Sequence, residues 1–473
     1  MTVSPYSPTT LNVLVVNTHQ TGGGAGRVGE LLAERLRAGG DRVSAFVRDA
    51  RRGDAHNRRA GTWREARLAA WLAGWGISDL GHVSSFLWRL RAEYAGADVL
   101  HLHNLHGEFV SIAALPLWGF DKPIVWTLHD LWPLSGNCAA PGTCDRWRRS
   151  CGRCPQVGVY PLGNVDRSRF YRWLKPRLIA AARPHIVTPS RWLFERVGEL
   201  PELQSLPRRV IRSPIDCEVF APRANTAALR RGFGLAADRF TVVLSGNNWA
   251  DGLKGGDHAV AALRAAAAAV RGLQVLVIGR QSERLLSVTR LPGCASPFLR
   301  RREQLADGYA CADVCLFPSR AENYPLTVLE SQACGTPVVA YDVGGIPEQI
   351  EHLKTGYLAR DGHPEELARG LVLLAKNRAL GPALGQRGCA AVVRTCSPAV
   401  VVAQYRDEYR RAFRAWCRRR DRAWPRYGLA PWKQMLARRL GWDVPAQQPP
   451  SRATVRGTAP AEVLEYAGTT AER

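Results

Sequence analysis

Short runs of β-branched and other apolar residues alternate with stretches of helical spacing along most of this chain, and that alternation restricts the fold more than any other feature. Residues 11–16 form the first run, then comes Thr21-Gly22-Gly23-Gly24-Ala25-Gly26, then apolar residues at helical spacing over 27–36. The order predicts strand, glycine turn and helix. Further runs fall at 43–47, 99–102, 124–128, 186–188 and 210–211, with helix-compatible stretches between several of them. Over 213–238 the pattern breaks into Ser-Pro-Ile-Asp and Ala-Pro-Arg-Ala-Asn, a crossover between domains. A second series follows, with strands expected at 241–244, 273–278, 314–317 and 338–340 and helices at about 257–271 and 325–333. Two parallel sheets covered by helices are therefore expected, in an α/β chain of 473 residues that can bury a core in each half. No tandem repeat is visible.

The formal charge is +24, but only 6 of the 65 basic residues are Lys. That skew has the look of a GC-rich genome, and it leaves the charge as a hint of an anionic membrane surface or a phosphate-bearing ligand. No apolar run reaches the ~18–20 residues that span a bilayer, and no Lys or Arg precedes Arg27 to make a signal peptide. A cytosolic setting is expected, with most of the 12 Cys reduced.

The densest chemical signal is Ser319-Arg-Ala-Glu322-Asn323-Tyr324-Pro325-Leu326-Thr-Val-Leu-Glu330-Ser-Gln-Ala-Cys-Gly335-Thr-Pro337, followed by Gly344-Gly345-Ile-Pro347-Glu348. With Pro325 as first helical residue, Glu322 lies in the loop at the helix mouth and Glu330 more than a turn inside. The free N–H groups and dipole of that helix make a phosphate site between two carboxylates. A nucleotide sugar, with hydroxyl-rich rings on both sides of a diphosphate, matches the arrangement.

These residues resemble the signature of the retaining glycosyltransferases of family 4: two glutamates eight positions apart, then Ala-Cys-Gly-x-Pro-Val-Val and Gly-Gly-x-Pro-Glu. The resemblance covers about residues 11–415 and implies a GT-B fold. It gives an N-terminal Rossmann-like acceptor domain over 1–213, a nucleotide-sugar donor domain over 214–396, a crossover helix over 397–420 and a basic, then disordered tail over 421–473. It also implies that Glu322 contacts the transferred sugar and that Glu330 holds the ribose, with Asn323, Tyr324, Pro325 and Leu326 lining the donor site. Where the family has Glu-Gly-aromatic-Gly, this chain has Glu322-Asn-Tyr-Pro325. Lys254 matches the family's diphosphate lysine, while Asn247 and Asn248 stand where an arginine is usual. Asn248 is kept in the donor set, and Arg280 or the helix end is expected to assist. Gly23 and Gly24 of the glycine loop are expected to face the donor phosphates. His129, in Trp126-Thr-Leu-His129-Asp130, aligns with a histidine near the transferred sugar and is expected to orient substrate or handle a proton. His101 and His103 read more readily as core or cleft histidines than as metal ligands.

Cys138, Cys144, Cys151 and Cys154 lie in a loop over 138–154 with five, six and two residues between them. A structural zinc with four thiolates, disulfides or separate buried thiols are the alternatives. An exopolysaccharide subgroup of the family has a similar clustered-Cys string. Residues 406–439 carry 12 Lys or Arg against 3 acids, with Trp416, Trp424 and Trp432 interleaved; the segment either lies on anionic lipid or packs back on the N-terminal domain. The expected activity is retaining sugar transfer to an acceptor hydroxyl with no catalytic cofactor, in polysaccharide assembly on a lipid carrier at the inner membrane face. Glycosylation of a small metabolite is the alternative acceptor reading. A GT-B epimerase or phosphorylase, an inactive homologue and a basic zinc-bearing nucleic-acid binder are rivals, the last of these disfavoured.

Overall fold

The computed structural model describes residues 10–423, apart from 51–53, 298 and 300. The tail beyond 423, including Trp424, Trp432 and the stretch expected to be disordered, lies outside the described residues. Seven parallel strands form the first sheet: β1 (Asn12–Asn17), β2 (Arg42–Val47), β3 (Asn57–Arg59), β4 (Val99–Leu102), β5 (Ile124–Thr127), β6 (His185–Thr188) and β7 (Arg208–Val210). Their order is β3-β2-β1-β4-β5-β6-β7. The second sheet has β8 (Thr241–Asn248), β9 (Gln274–Arg280), β10 (Gly293–Ser296), β11 (Val314–Phe317), β12 (Val338–Tyr341) and β13 (Gly356–Ala359), in the order β10-β9-β8-β11-β12-β13.

Both orders reverse direction beside the first strand of their sheet, between β1 and β4 and between β8 and β11. The loops that leave those strands part there and open a crevice, the usual ligand position in open parallel sheets. The central strands are buried on both faces, as the continuous apolar runs require: Val13 to Val16, Leu100 and Leu102 in one sheet, Val242 to Leu244 and Val314 to Leu316 in the other.

The last described helix, Pro398–Ala423, runs back to the first sheet. Tyr409 Oη is 2.9 Å from His101 Nδ1, and Tyr405 Oη is 2.9 Å from Thr127 Oγ1. Arg406 Nε donates to Asp41 at 2.8 Å, and Glu408 lies 2.6 Å from His185 Nδ1. Trp416 is buried and donates to the Phe120 carbonyl at 3.2 Å. This part of the basic segment thus serves the protein interior with its aromatic face. No described helix is long and apolar enough to cross a membrane.

Candidate functional site: the cleft between the two sheets

A cleft of about 1040 Å³ separates the crevices of the two sheets. Its N-terminal wall includes Gly23, Gly24, Arg27, His129 and Asp130; its C-terminal wall includes Asn247, Lys254, Arg280, Glu322 to Leu326 and Glu330. Of the expected site residues outside the Cys loop, Asn248 alone is missing from this lining. Its carboxamide turns back to accept the Ala250 N–H at 3.2 Å, at a bulge in β8, and the neighbouring Asn247 faces the cleft instead.

The glycine run is not a free turn. Helix Gly23–Ala38 begins inside it, with extended Gly22 as cap and Gly23 at φ +68°, so the unsatisfied first-turn N–H groups open toward the cleft. Arg27 follows from the second helical turn. In the opposite wall, Pro325 is the cap of helix Leu326–Ala333 and not its first residue, with ψ 131°. The free N–H groups therefore begin at Leu326 and Thr327, both of which line the cleft.

Each glutamate is held by a cation. Glu330, 2% exposed, accepts from Arg27 Nη1 at 2.5 Å and from Tyr309 Oη at 3.0 Å. Burial and the carboxylate together push the Tyr309 phenol far up, so it stays a donor. Glu322 accepts from Lys254 Nζ at 2.7 Å and from Ser319 Oγ at 2.8 Å. Burial works to lower the Lys254 pKa, but the Glu322 carboxylate outweighs it and the ammonium is held above its ordinary value. Arg302, also in the cleft, is paired with Glu30 and Asp216. Among the described cleft cations, Arg280 alone makes no ion pair.

Two glycines make this geometry. Gly255, at φ +67°, passes so close to β11 that a Cβ would sit 2.1 Å from the Pro318 carbonyl oxygen. This tight passage places Lys254 over Glu322. A Cβ on Gly344, at φ +59°, would lie 1.7 Å from the Glu322 carbonyl oxygen, so the Gly-Gly turn is the floor beneath Glu322. Asn323 then ties the walls together: its Nδ2 donates to the His129 carbonyl at 3.0 Å and its Oδ1 accepts from Ser190 Oγ at 2.5 Å. Glu348 crosses the same gap and accepts the N–H groups of Arg191 and Trp192, both at 2.8 Å, at the start of helix Arg191–Gly198.

The His129 ring is stacked on His103, with Nε2 2.8 Å from His103 Nδ1. Burial lowers its pKa to about 4, and that of His101 to about 3. His129 is therefore neutral at neutral pH and suited to hydrogen bonding more than to proton storage. His101 is bonded to Thr127 and Tyr409, a core role that accounts for half of the H-x-H pair. Asp130, also in the cleft wall, stays ionised. Burial opposes its charge, but His106, 3.4 Å away, and the Trp132 N–H hold it down.

All four cysteines of the 138–154 loop line one small cavity of about 20 Å³. Burial raises the thiols of Cys138, Cys151 and Cys154, and no disulfide joins the four cysteines of this loop. The donor set has zinc's chemistry, but among the described residues no three Cys, His, Asp or Glu converge as metal ligands. The thiols share a chamber without forming a coordination sphere.

Arg27, Asn247, Tyr309 and Asp130 belong to this site although sequence spacing did not single them out as ligands. Arg27 had one signal, its place directly after the glycine run.

Comparison with known proteins agrees with this architecture. Residues 22–219 match the family described as Glycosyltransferase Family 4, and residues 239–377 match that described as Glycosyl transferases group 1. A D-inositol 3-phosphate glycosyltransferase of Acidothermus cellulolyticus is 29% identical over 61% of this chain and 60% of its own length. The Escherichia coli K12 colanic acid biosynthesis glycosyl transferase WcaC is 26% identical over 54% of this chain and 62% of its own. The chain thus spans about three fifths of these relatives. Among solved structures, sucrose-phosphate synthase from Thermosynechococcus elongatus superposes with a TM-score of 0.63 at 20% identity, covering 86% of this chain and all of that one (100%). Anabaena Alr3699/HepE in complex with UDP-glucose gives 0.58 at 15%, covering 84% and 98%. Two parallel sheets facing across a cleft, and two matched segments that fall one on each sheet, lead to the same place: the chain has the GT-B fold, with a Glycosyltransferase Family 4 segment over 22–219 and a Glycosyl transferases group 1 segment over 239–377.

Proposed function

We propose that the cleft binds a nucleotide sugar and transfers its sugar, with retention of configuration, to an acceptor hydroxyl. The observation that carries this reading is the pairing of each cleft carboxylate with a cation, Arg27 with Glu330 and Lys254 with Glu322. A ligand with hydroxyl-bearing rings at both ends and a diphosphate between them can split both pairs. Ribose hydroxyls donate to Glu330, sugar hydroxyls to Glu322, and the released Arg27 and Lys254 turn to the diphosphate. Arg280 and the N–H groups of Leu326 and Thr327 complete that anion site and stabilise the departing nucleoside diphosphate. The acceptor hydroxyl attacks from the face the leaving group vacates and gives its proton to the departing diphosphate oxygen, and neutral His129 with ionised Asp130 orients the sugar and acceptor. HepE, a structural neighbour, has been seen with UDP-glucose, so UDP-sugars are the first donors to try.

For the acceptor, the relation to WcaC supports assembly of an exported polysaccharide on a lipid carrier. The D-inositol 3-phosphate glycosyltransferases support a second reading, a small phosphorylated polyol. Thermal denaturation with UDP-, GDP- and dTDP-sugars tests the donor, and nucleotide release with a membrane lipid extract or with inositol 3-phosphate separates the acceptors. A melting temperature that no nucleotide sugar raises would remove the proposal.

For the cysteine loop we propose that the four thiols close on one zinc ion by side-chain rotation into their shared cavity. The support is that cavity, and the fixed Cys151-Gly152-Arg153-Cys154 turn, three of whose residues have positive φ. Metal analysis of the purified chain should return about one zinc per molecule. Four free thiols and no metal would end the idea.

A further inference from the structure

Helix Trp63–Gly74 is inverted relative to an ordinary surface helix. The side turned toward the protein is made mostly of small groups, with Ala69 buried and Ala66, Ala73 and the larger Leu72 half-buried. The large rings point outward. Trp63, Arg67, Trp71 and Trp75 recur every fourth residue and so make one column along the outer face. Trp63, Trp71 and Trp75 are 56%, 61% and 60% exposed. The Arg64 and Arg67 guanidiniums lie 5.5 and 6.0 Å from the Trp63 ring centre, and the rings of Trp71 and Trp75 are 6.3 Å apart.

The patch does not stop at the helix. Ser84 N–H donates to Glu65 at 2.6 Å and joins the 3-10 helix Val83–Leu90 to it, and that turn exposes Val83, Leu87 and Leu90, the last by 79%. On the other side Arg167 packs over Gly76 and leads into helix Ser168–Ala182, where Trp173 is exposed and lies 5.2 Å from the Arg177 guanidinium. Residues 58–91 hold six Arg against two acids, Glu65 and Asp79; Arg58 is paired with Glu93 and Arg89 with Asp121, and Arg64 and Arg67 are the cations beside the rings. Asp79 is buried, and Glu65 is spent on the capping box with Thr62.

We propose that this face is a docking surface for an anionic lipid bilayer, with the Trp rings at the headgroup boundary and the Arg side chains on lipid phosphates. Outward Trp interleaved with Arg is what such a boundary selects, since an indole has an apolar body and a polar N–H, and arginine pairs with phosphate in forked geometry. Charge complementarity decides the occupant. The basic segment 424–439 carries the same sign as this face, so it is a poor cover for it, whereas an anionic surface matches. The inference does not depend on the donor chemistry: a chain that bound bilayers and turned over no nucleotide sugar would keep it and lose the other.

Co-sedimentation of the full chain with vesicles tests it. Binding is expected to vesicles of mixed phosphatidylcholine and phosphatidylglycerol, to weaken in high salt, and to be slight with phosphatidylcholine alone. The triple variant W63A/W71A/W75A should bind the mixed vesicles at least ~10-fold more weakly, with its melting temperature little changed because those rings are more than half exposed. W424A/W432A should bind as the unaltered chain does. The proposal falls if the unaltered chain ignores anionic vesicles, or if the triple variant still pellets with them. It falls equally if only W424A/W432A loses binding, or if the chain is a dimer that the triple variant turns into monomers.

Discussion

Glu330 sits nearly out of solvent, yet it has one full cation and one phenol to hold its charge, so its removal is felt on both walls of the cleft. Glu330→Gln keeps a partner for Tyr309 but leaves the Arg27 guanidinium without its counter-charge. The expected result is weaker nucleotide binding by about 1.5–3 kcal/mol, the worth of a charge-assisted hydrogen bond, read by calorimetric titration of UDP. Glu322→Ala should behave differently. Its oxygens face the sugar end in the proposed complex, so turnover should fall by at least ~100-fold while nucleotide affinity changes little; equal loss of both would contradict the assignment of the two carboxylates to different ends. Most of this residue-level pattern is legible in the sequence, because the glutamate spacing and the lysine before Gly255 are local features. The Arg27 contact is not legible. It joins residues 303 apart, and nothing in either local pattern specifies the other.

At the scale of elements, two loops of the first sheet meet over a pair of carboxyl groups. The Asp79 N–H donates to Glu108 Oε2 at 2.9 Å, and the Glu108 N–H donates to Asp79 Oδ1 at 2.8 Å. Both residues have positive φ, 56° and 57°. Burial, then the neighbouring Asp79, pushes the Glu108 pKa up to about 8. Its folded carboxyl keeps a proton that the unfolded chain has lost, so the stability it contributes is complete below its ordinary value of 4.5 and is lost as pH rises through 8. His129 acts in the opposite sense: the unfolded imidazole takes up its proton near 6.5 and the folded one only near 4, so stability falls as pH drops through that window. Between pH 4.5 and 6.5 the two slopes oppose and cancel, so the melting temperature should be level there, falling above that window toward pH 8 and below it toward pH 4. Glu108→Gln should remove the alkaline fall and extend the acid fall up to pH 6.5, where the His129 slope is no longer offset. The strands that sequence reasoning did not expect share a physical reason. β3 (Asn-Arg-Arg), β10 (Gly-Cys-Ala-Ser) and β13 (Gly-Tyr-Leu-Ala) are the outer strands of their sheets, solvated on one side, and need no apolar run. The central strands, buried on both faces, do need one and were legible from it.

Across the whole molecule, the two sheets are held by a few polar ties beside the cleft: Arg27 to Glu330 with Arg302 to Glu30 nearby, Asn323 to Ser190 and His129, and Glu348 to the helix that starts at Arg191. Opening the cleft breaks them all and leaves the Arg191 and Trp192 N–H groups without the Glu348 carboxylate, while Ser190 still caps the helix. Asn323→Ala removes the middle tie without touching a proposed phosphate or ribose ligand. We expect a looser, more open average form, with a larger radius of gyration in small-angle scattering and kcat/KM reduced about 10-fold. A scattering profile identical to that of the unaltered chain would show that Asn323 does not hold the cleft closed.

The return of helix Pro398–Ala423 sets an order on biosynthesis. Translation delivers the first sheet early, but His101 and Thr127 receive Tyr409 and Tyr405 only some 280 to 310 residues later. Until then the nascent first domain has a polar slot in its interior, filled by water or by nothing. The second sheet can mature while the ribosome is still at work, and the half made first is the half finished last.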